Sequence, residues 1–220
     1  MKFGTVFLAL LVGSGVWALL GRARYAEARD GSPIAGNQRL TALTGLIIYV
    51  LLAAIAVTVI DVSGLLTEHY VVGFLLLPLV VLKLGSTGYR FVRYYQGDRT
   101  YRLAGAPPLL LRFVVAPLLV ASTVFVFGTG LELWLFGLRF GAVWLPLHTA
   151  SAVVMLLAVA AHLAAHLRLS TATLMTGAII RQRGRLSPRS VVAGCLLLGA
   201  VLAVAALLYS SPFNHSFGGG

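Results

Sequence analysis

Five histidines punctuate this chain, and four of them (His69, His148, His162 and His166) fall in or at the ends of two apolar runs. His148 and His162 are fourteen residues apart. On a helix that spacing places them within about 40° of one face and about 21 Å apart along the axis. His166, four residues further on, shares the face. An earlier run opens at His69 and carries Lys83 fourteen residues later, so these two repeat the pattern. If the two runs are parallel helices, His69 stands level with His148, and Lys83 with His162. Neutral imidazoles on facing helices bond a metal centre through ring nitrogens. His69, His148 and His162 are therefore the candidate metal ligands. Lys83 and His166 are candidates for contact with the same cofactor. The fifth histidine, His215, lies in a polar tail and is expected to be solvated.

The runs that must position these residues are membrane spans. Of 220 residues, 59% are hydrophobic and only 10% are charged, against about 25% charged in a soluble domain. Runs of about 18 or more apolar residues read as spans, and six are expected, at 5–20, 43–60, 69–87, 108–128, 142–167 and 191–210. They form one transmembrane domain over 1–220, with a mobile tail at 211–220. The first run could also serve as a signal peptide. Arg22 and Arg24 follow it at once without a clean cleavage pattern, which favours a retained anchor. Helices are expected because each span must satisfy its own backbone polar groups, and the short alternating segments of a β-barrel are absent.

The charges sort by loop. Arg22, Arg24, Arg29 and Arg39 fill the first loop, Arg90, Arg93, Arg99 and Arg102 the third, and Arg168, Arg181, Arg183, Arg185 and Arg189 the fifth. The second carries Asp61 and Glu68, and the fourth Glu132 and Arg139. The positive-inside rule puts the odd loops in the cytoplasm and both termini outside; the resemblance given below implies a bacterial plasma membrane. The net charge of +11 thus reports topology, and nucleic acid is not an expected partner. The aromatic and arginine-rich stretch Tyr89–Tyr101 suits headgroup depth, with a turn at Gly97-Asp98, and Trp17, Trp134 and Trp144 fit the aromatic belt. Asp61, Glu68 and Glu132 are expected to face water. Cys195 alone excludes an internal disulfide and a cysteine-based cluster.

Paired imidazoles at matched depths suit b-type haem, which takes one neutral imidazole from each side. Gly73 would leave room for the porphyrin plane. On His148-x13-His162 and His69, over Glu68–Leu167, the chain resembles the helical membrane cytochromes of b type, including the cytochrome b subunits of bacterial dehydrogenases and hydrogenases. The resemblance implies an all-α integral membrane bundle of about six helices with a four-helix haem-binding core. It implies electron transfer between quinone and a redox partner on a separate subunit. It also makes His69 and His148 axial ligands of an outer haem, and His162 a ligand of an inner one.

Lys83 stands where a second histidine of the earlier span would complete the inner site. One haem b is therefore expected, and a second lacks an evident partner ligand. Lys83 could instead snorkel to the interface, contact a propionate or pass protons. His162 and His166 could be interhelical hydrogen-bonding residues. The alternatives are a haem-free scaffold or assembly subunit and, behind it, a small proton-linked transporter. The chain has no GxxxxGK[ST] phosphate loop and no HExxH zinc motif.

Overall fold

The computed structural model describes residues 2–20, 33–103, 109–177 and 187–217, with side chains throughout except at 2–3, 14–15, 17–20, 33–35, 111, 164–177 and 215–217. The described residues are helical apart from short turns. In chain order the helices are α1 (Lys2–Leu20), α2 (Pro33–Ile60), α3 (Leu66–Tyr95), α4 (Arg99–Leu103), α5 (Ala116–Phe136, entered through a wider turn at Leu111–Val115), α6 (Trp144–Gly177), α7 (Pro188–Leu208) and α8 (Pro212–Phe217). Five helical segments are long and apolar enough to cross a membrane: Gly36–Ile60, Leu66–Tyr95, Arg112–Phe136, Trp144–Leu163 and Pro188–Leu208. The protein is thus a multi-pass helical bundle. The sixth expected span coincides with α1, whose described apolar stretch, Gly4–Gly13, is shorter than a span.

The distribution of side chains fits lipid. Leu197, Val201 and Leu208 on α7 are 69%, 65% and 83% exposed, while Thr44, Thr58, Ser86, Ser122, Thr123 and Thr129 are buried. A water-soluble bundle would reverse that order. In a bilayer, small hydroxyl residues turn inward, where they can bond backbone carbonyls. Thr44 donates to Leu40 O, Ser122 to Leu118 O and Thr129 to Phe125 O.

Four helices enclose the centre. Helix α2 packs on both α3 and α6, α5 packs on α6, and α3 meets α5 only lightly. Helix α1 lies on α2 and α6, and α7 lies on α3 and α2. Phe7 and Leu11 of α1 join Leu52, Ala56, Leu76, Met155, Leu156 and Val159 in one core cluster, and the Tyr49 hydroxyl donates to Leu11 O at 2.6 Å. Gly199 brings α7 against α3, since a Cβ there would stand 2.8 Å from Leu75 O.

Several expectations are corrected. The fourth span is shifted: α5 continues past 128 to Phe136 and stops at Gly137, whose φ of +62° suits glycine. Leu131, Leu133, Trp134 and Leu135 keep the run apolar around Glu132, so one acidic residue does not end the helix. Arg39 is on α2, and Arg90 and Arg93 are on α3 rather than in loops. The expected turn at Gly97-Asp98 is present, with Gly97 at φ +86° and an Arg93–Asp98 ion pair across it. The tail differs most. Residues 212–217 form α8, Ser211 and Phe213 are buried, and Ser211 Oγ donates to Trp134 O at 2.7 Å. Its apolar residues and this bond seat it on the end of α5. The first basic loop from Arg22 to Arg29, with Arg181, Arg183 and Arg185, falls outside the described residues, as do the side chains of Trp17 and Arg168.

Replacing Gly199 by valine should destabilise the bundle by about 1–3 kcal/mol through overpacking. Unfolding of the purified protein in detergent would show a lower midpoint. An unchanged midpoint would mean that α3 and α7 can separate without loss.

Candidate cofactor site

His69 lies in the first turn of α3, and His148 in the second turn of α6. Because α3 and α6 run parallel, both rings come to the same end of the bundle. Their centres are 6.3 Å apart and their planes nearly perpendicular, at 83°. The pairing expected from the spacing is therefore present.

Each ring is oriented by an adjacent helix. His148 Nδ1 lies 3.1 Å from Val126 O and 3.1 Å from Thr129 Oγ1, both on α5. A carbonyl oxygen only accepts, so Nδ1 of His148 carries the proton. His69 Nδ1 lies 2.9 Å from Thr58 Oγ1 on α2. That hydroxyl already donates to Ile55 O at 2.8 Å, so its oxygen accepts from His69 Nδ1–H. Both rings thus carry their Nδ1 proton, and in the neutral form each has its lone pair on Nε2. This is how outer-shell partners prepare a histidine for a metal. Gly130 presses on the His148 ring: a Cβ there would be 2.9 Å from Cε1.

The ring separation of 6.3 Å with nearly perpendicular planes lies in the roughly 4.5–7 Å range of edge-to-face ring contact, as does the Tyr89–Tyr101 pair at 6.1 Å. Two imidazoles on opposite sides of one metal would have centres about 6.2–6.4 Å apart, so the same separation is also compatible with a shared metal. Among the described residues no group of three or more His, Cys, Asp and Glu gathers to hold a bare ion.

A cavity adjoins the pair. The cavity between α2, α3, α5 and α6 has a volume of about 620 Å³, within the roughly 300–1,000 Å³ of cofactor pockets. His69, His148, Lys83 and His162 all line it. So do Gly73 and Gly128, where a Cβ would meet nothing within 4 Å. The remaining walls are largely apolar, and Ser211, Phe213 and Asn214 line it beside α8.

Lys83 and His162 line the cavity well away from the pair, as their spacing predicts. Lys83 Nζ donates to Thr41 O at 2.7 Å, so this lysine faces α2 inside the bundle. The side chains of His166 and His215 are outside the described residues. Glu132 is not simply water-facing: it lies within α5, and its two carboxyl oxygens are shielded, with no hydrogen-bond partner among the described residues. Trp134, near the end of α5, lines the cavity and packs between Phe74 and Tyr209, with ring centres 4.8 and 4.7 Å away. At the end of α3, Arg112 lies over the Tyr95 ring at 4.6 Å, which suits the interfacial role read for this stretch.

Thr58, Thr129, Gly130 and the Val126 carbonyl escaped the sequence reading. The triplet Gly128-Thr129-Gly130 inside an apolar span was the available signal, because it breaks the run with small residues one helix away from a histidine. No family model, curated protein or solved structure matches the chain.

Thr58→Val leaves His69 Nδ1–H without its acceptor and should cost about 1–3 kcal/mol. Thr129→Val should cost less, because His148 keeps Val126 O. Detergent unfolding of the two variants compares them; equal losses would mean that the Val126 carbonyl does not hold the ring.

Proposed function

We propose that this protein is a membrane cytochrome of b type, passing electrons between the quinone pool and a redox partner on another chain. The single observation that carries the reading is the His69–His148 pair: two imidazoles, each oriented through its Nδ1 by a neighbouring helix, with centres 6.3 Å apart, a separation compatible with a shared metal, at one end of an apolar cavity. His69 and His148 would hold the haem, which supplies reversible one-electron chemistry when bound.

The chain's own residues do the rest. Thr58, Thr129 and Val126 fix the two tautomers and prevent the rings from turning. Gly73 and Gly128 leave the walls open to a flat group, and Gly130 sets the depth of the His148 ring. The aliphatic walls exclude water, which favours the less charged state of a bound cofactor and so bears on its potential. The excess of arginine in alternate loops supports a plasma-membrane topology in which the histidine end faces outward. One observation favours a haem-free scaffold instead: Lys83, at the position of a second histidine, is engaged with Thr41 O.

Purified protein expressed with ample haem supply should contain one b-type haem per chain by pyridine haemochrome assay, with a sharp reduced α-band. His69→Ala and His148→Ala should abolish it, whereas His162→Ala should retain it. Two haems per chain would bring His162 into ligation. A haem-free protein would sink the cytochrome reading and leave the scaffold.

A further inference from the structure

The histidine pair accounts for one end of the cavity only. At the other end Lys83 brings an ammonium into the bundle. Such a group has three N–H donors and no acceptor. Among the described residues its side chain donates to Thr41 O, at 2.7 Å. No carboxylate among the described residues pairs with it. Asp61, Glu68 and Glu132 belong to the histidine end, and Asp98 is paired with Arg93. Arg90, further along α3, adds positive charge rather than compensating it. A charge at this depth in an apolar setting is costly unless an acceptor meets it.

The surroundings indicate what kind of acceptor. Lys83 lines the cavity beside Gly45 of α2, where a Cβ would stand only 2.8 Å from Nζ. Glycine thus makes the room that the ammonium occupies. Leu46, Val80, Leu84 and Val159 line the same cavity, while Thr41 and Ser86 give the lysine a polar edge. The protein presents an ammonium donor at the polar edge of a largely apolar cavity, so the complementary ligand is lipophilic with an oxygen acceptor at its polar end.

We propose that the Lys83 end of the cavity binds a lipophilic molecule through a hydrogen-bond-accepting oxygen, the carbonyl of a quinone or the carboxylate of a fatty acid. The quinone arm of this proposal rests on, and deepens, the exchange with the quinone pool proposed above, whereas the fatty-acid arm does not. The site shares no ligating group with the histidine pair, and its binding test is read independently of haem content.

The test uses the full-length protein in detergent. Decylubiquinone binding is followed by quenching of intrinsic fluorescence, and oleate binding by displacement of a fluorescent fatty acid, with haem content recorded on the same samples. Saturable binding of either ligand, weakened about tenfold or more in Lys83→Met, is expected from the loss of a charged hydrogen-bond donor. Binding of decylubiquinone alone would identify a quinone site, and of oleate alone a fatty-acid site. Gly45→Ala keeps the ammonium but displaces it, and should weaken binding too. It carries the test if Lys83→Met does not fold. Absence of saturable binding to both ligands, or unchanged affinity in the variants, would overturn the proposal. So would loss of haem from Lys83→Met with no change in ligand affinity, which would assign Lys83 to the haem site.

Discussion

A polar ring inside a membrane bundle must find its hydrogen-bond partner on a neighbouring helix, and this constraint organises the whole site. His69 meets it through Thr58 of α2, and His148 through Val126 and Thr129 of α5. Each bond ties a histidine-bearing helix to one that bears none, so α2–α3 and α5–α6 behave as two fastened pairs. The two pairs are joined through α2 and α6, while α3 and α5 hardly touch. The cavity is the space left at that missing contact. Steric needs act in the same direction: the helices that fasten the rings also supply small residues, with Gly130 under His148 and Gly128 beside open cavity.

The sequence made the pairing legible because two independent periodicities coincided. Fourteen residues from His69 to Lys83 and from His148 to His162 return to nearly the same helix face, so facing helices in parallel register had to bring His69 to His148. The spans themselves were legible from apolar length. Helix ends were less so, because charge was used to mark loops. Glu132, Arg39, Arg90 and Arg93 are all helical, since a helix longer than the bilayer carries charged residues on its projecting turns without ending. What stayed hidden was whatever depends on the neighbour of a residue rather than on its own type. Residue type alone marks Lys83 as an anchor and Trp134 as a belt residue, but not that Lys83 donates to Thr41 O or that Trp134 packs between Phe74 and Tyr209. The tail reads as a loose polar end, but Phe213 and the Ser211 hydroxyl give it enough to bury.

The two ends of the cavity solve the burial of polar groups in opposite ways. At the histidine end the groups are neutral, each carries one proton, and each proton is used within the protein. What remains there is a pair of lone pairs, which attracts a Lewis acid. At the lysine end the group carries donors only, and the protein uses one of them. What remains there attracts an acceptor. A single apolar chamber thus holds an electron-pair donor site and a hydrogen-bond donor site about four helical turns apart. Lipid-facing α7 and the closing α8 contribute little of this chemistry. Their part is to keep a chamber with incomplete α3–α5 contact from collapsing, through Gly199 against Leu75 and Ser211 against Trp134.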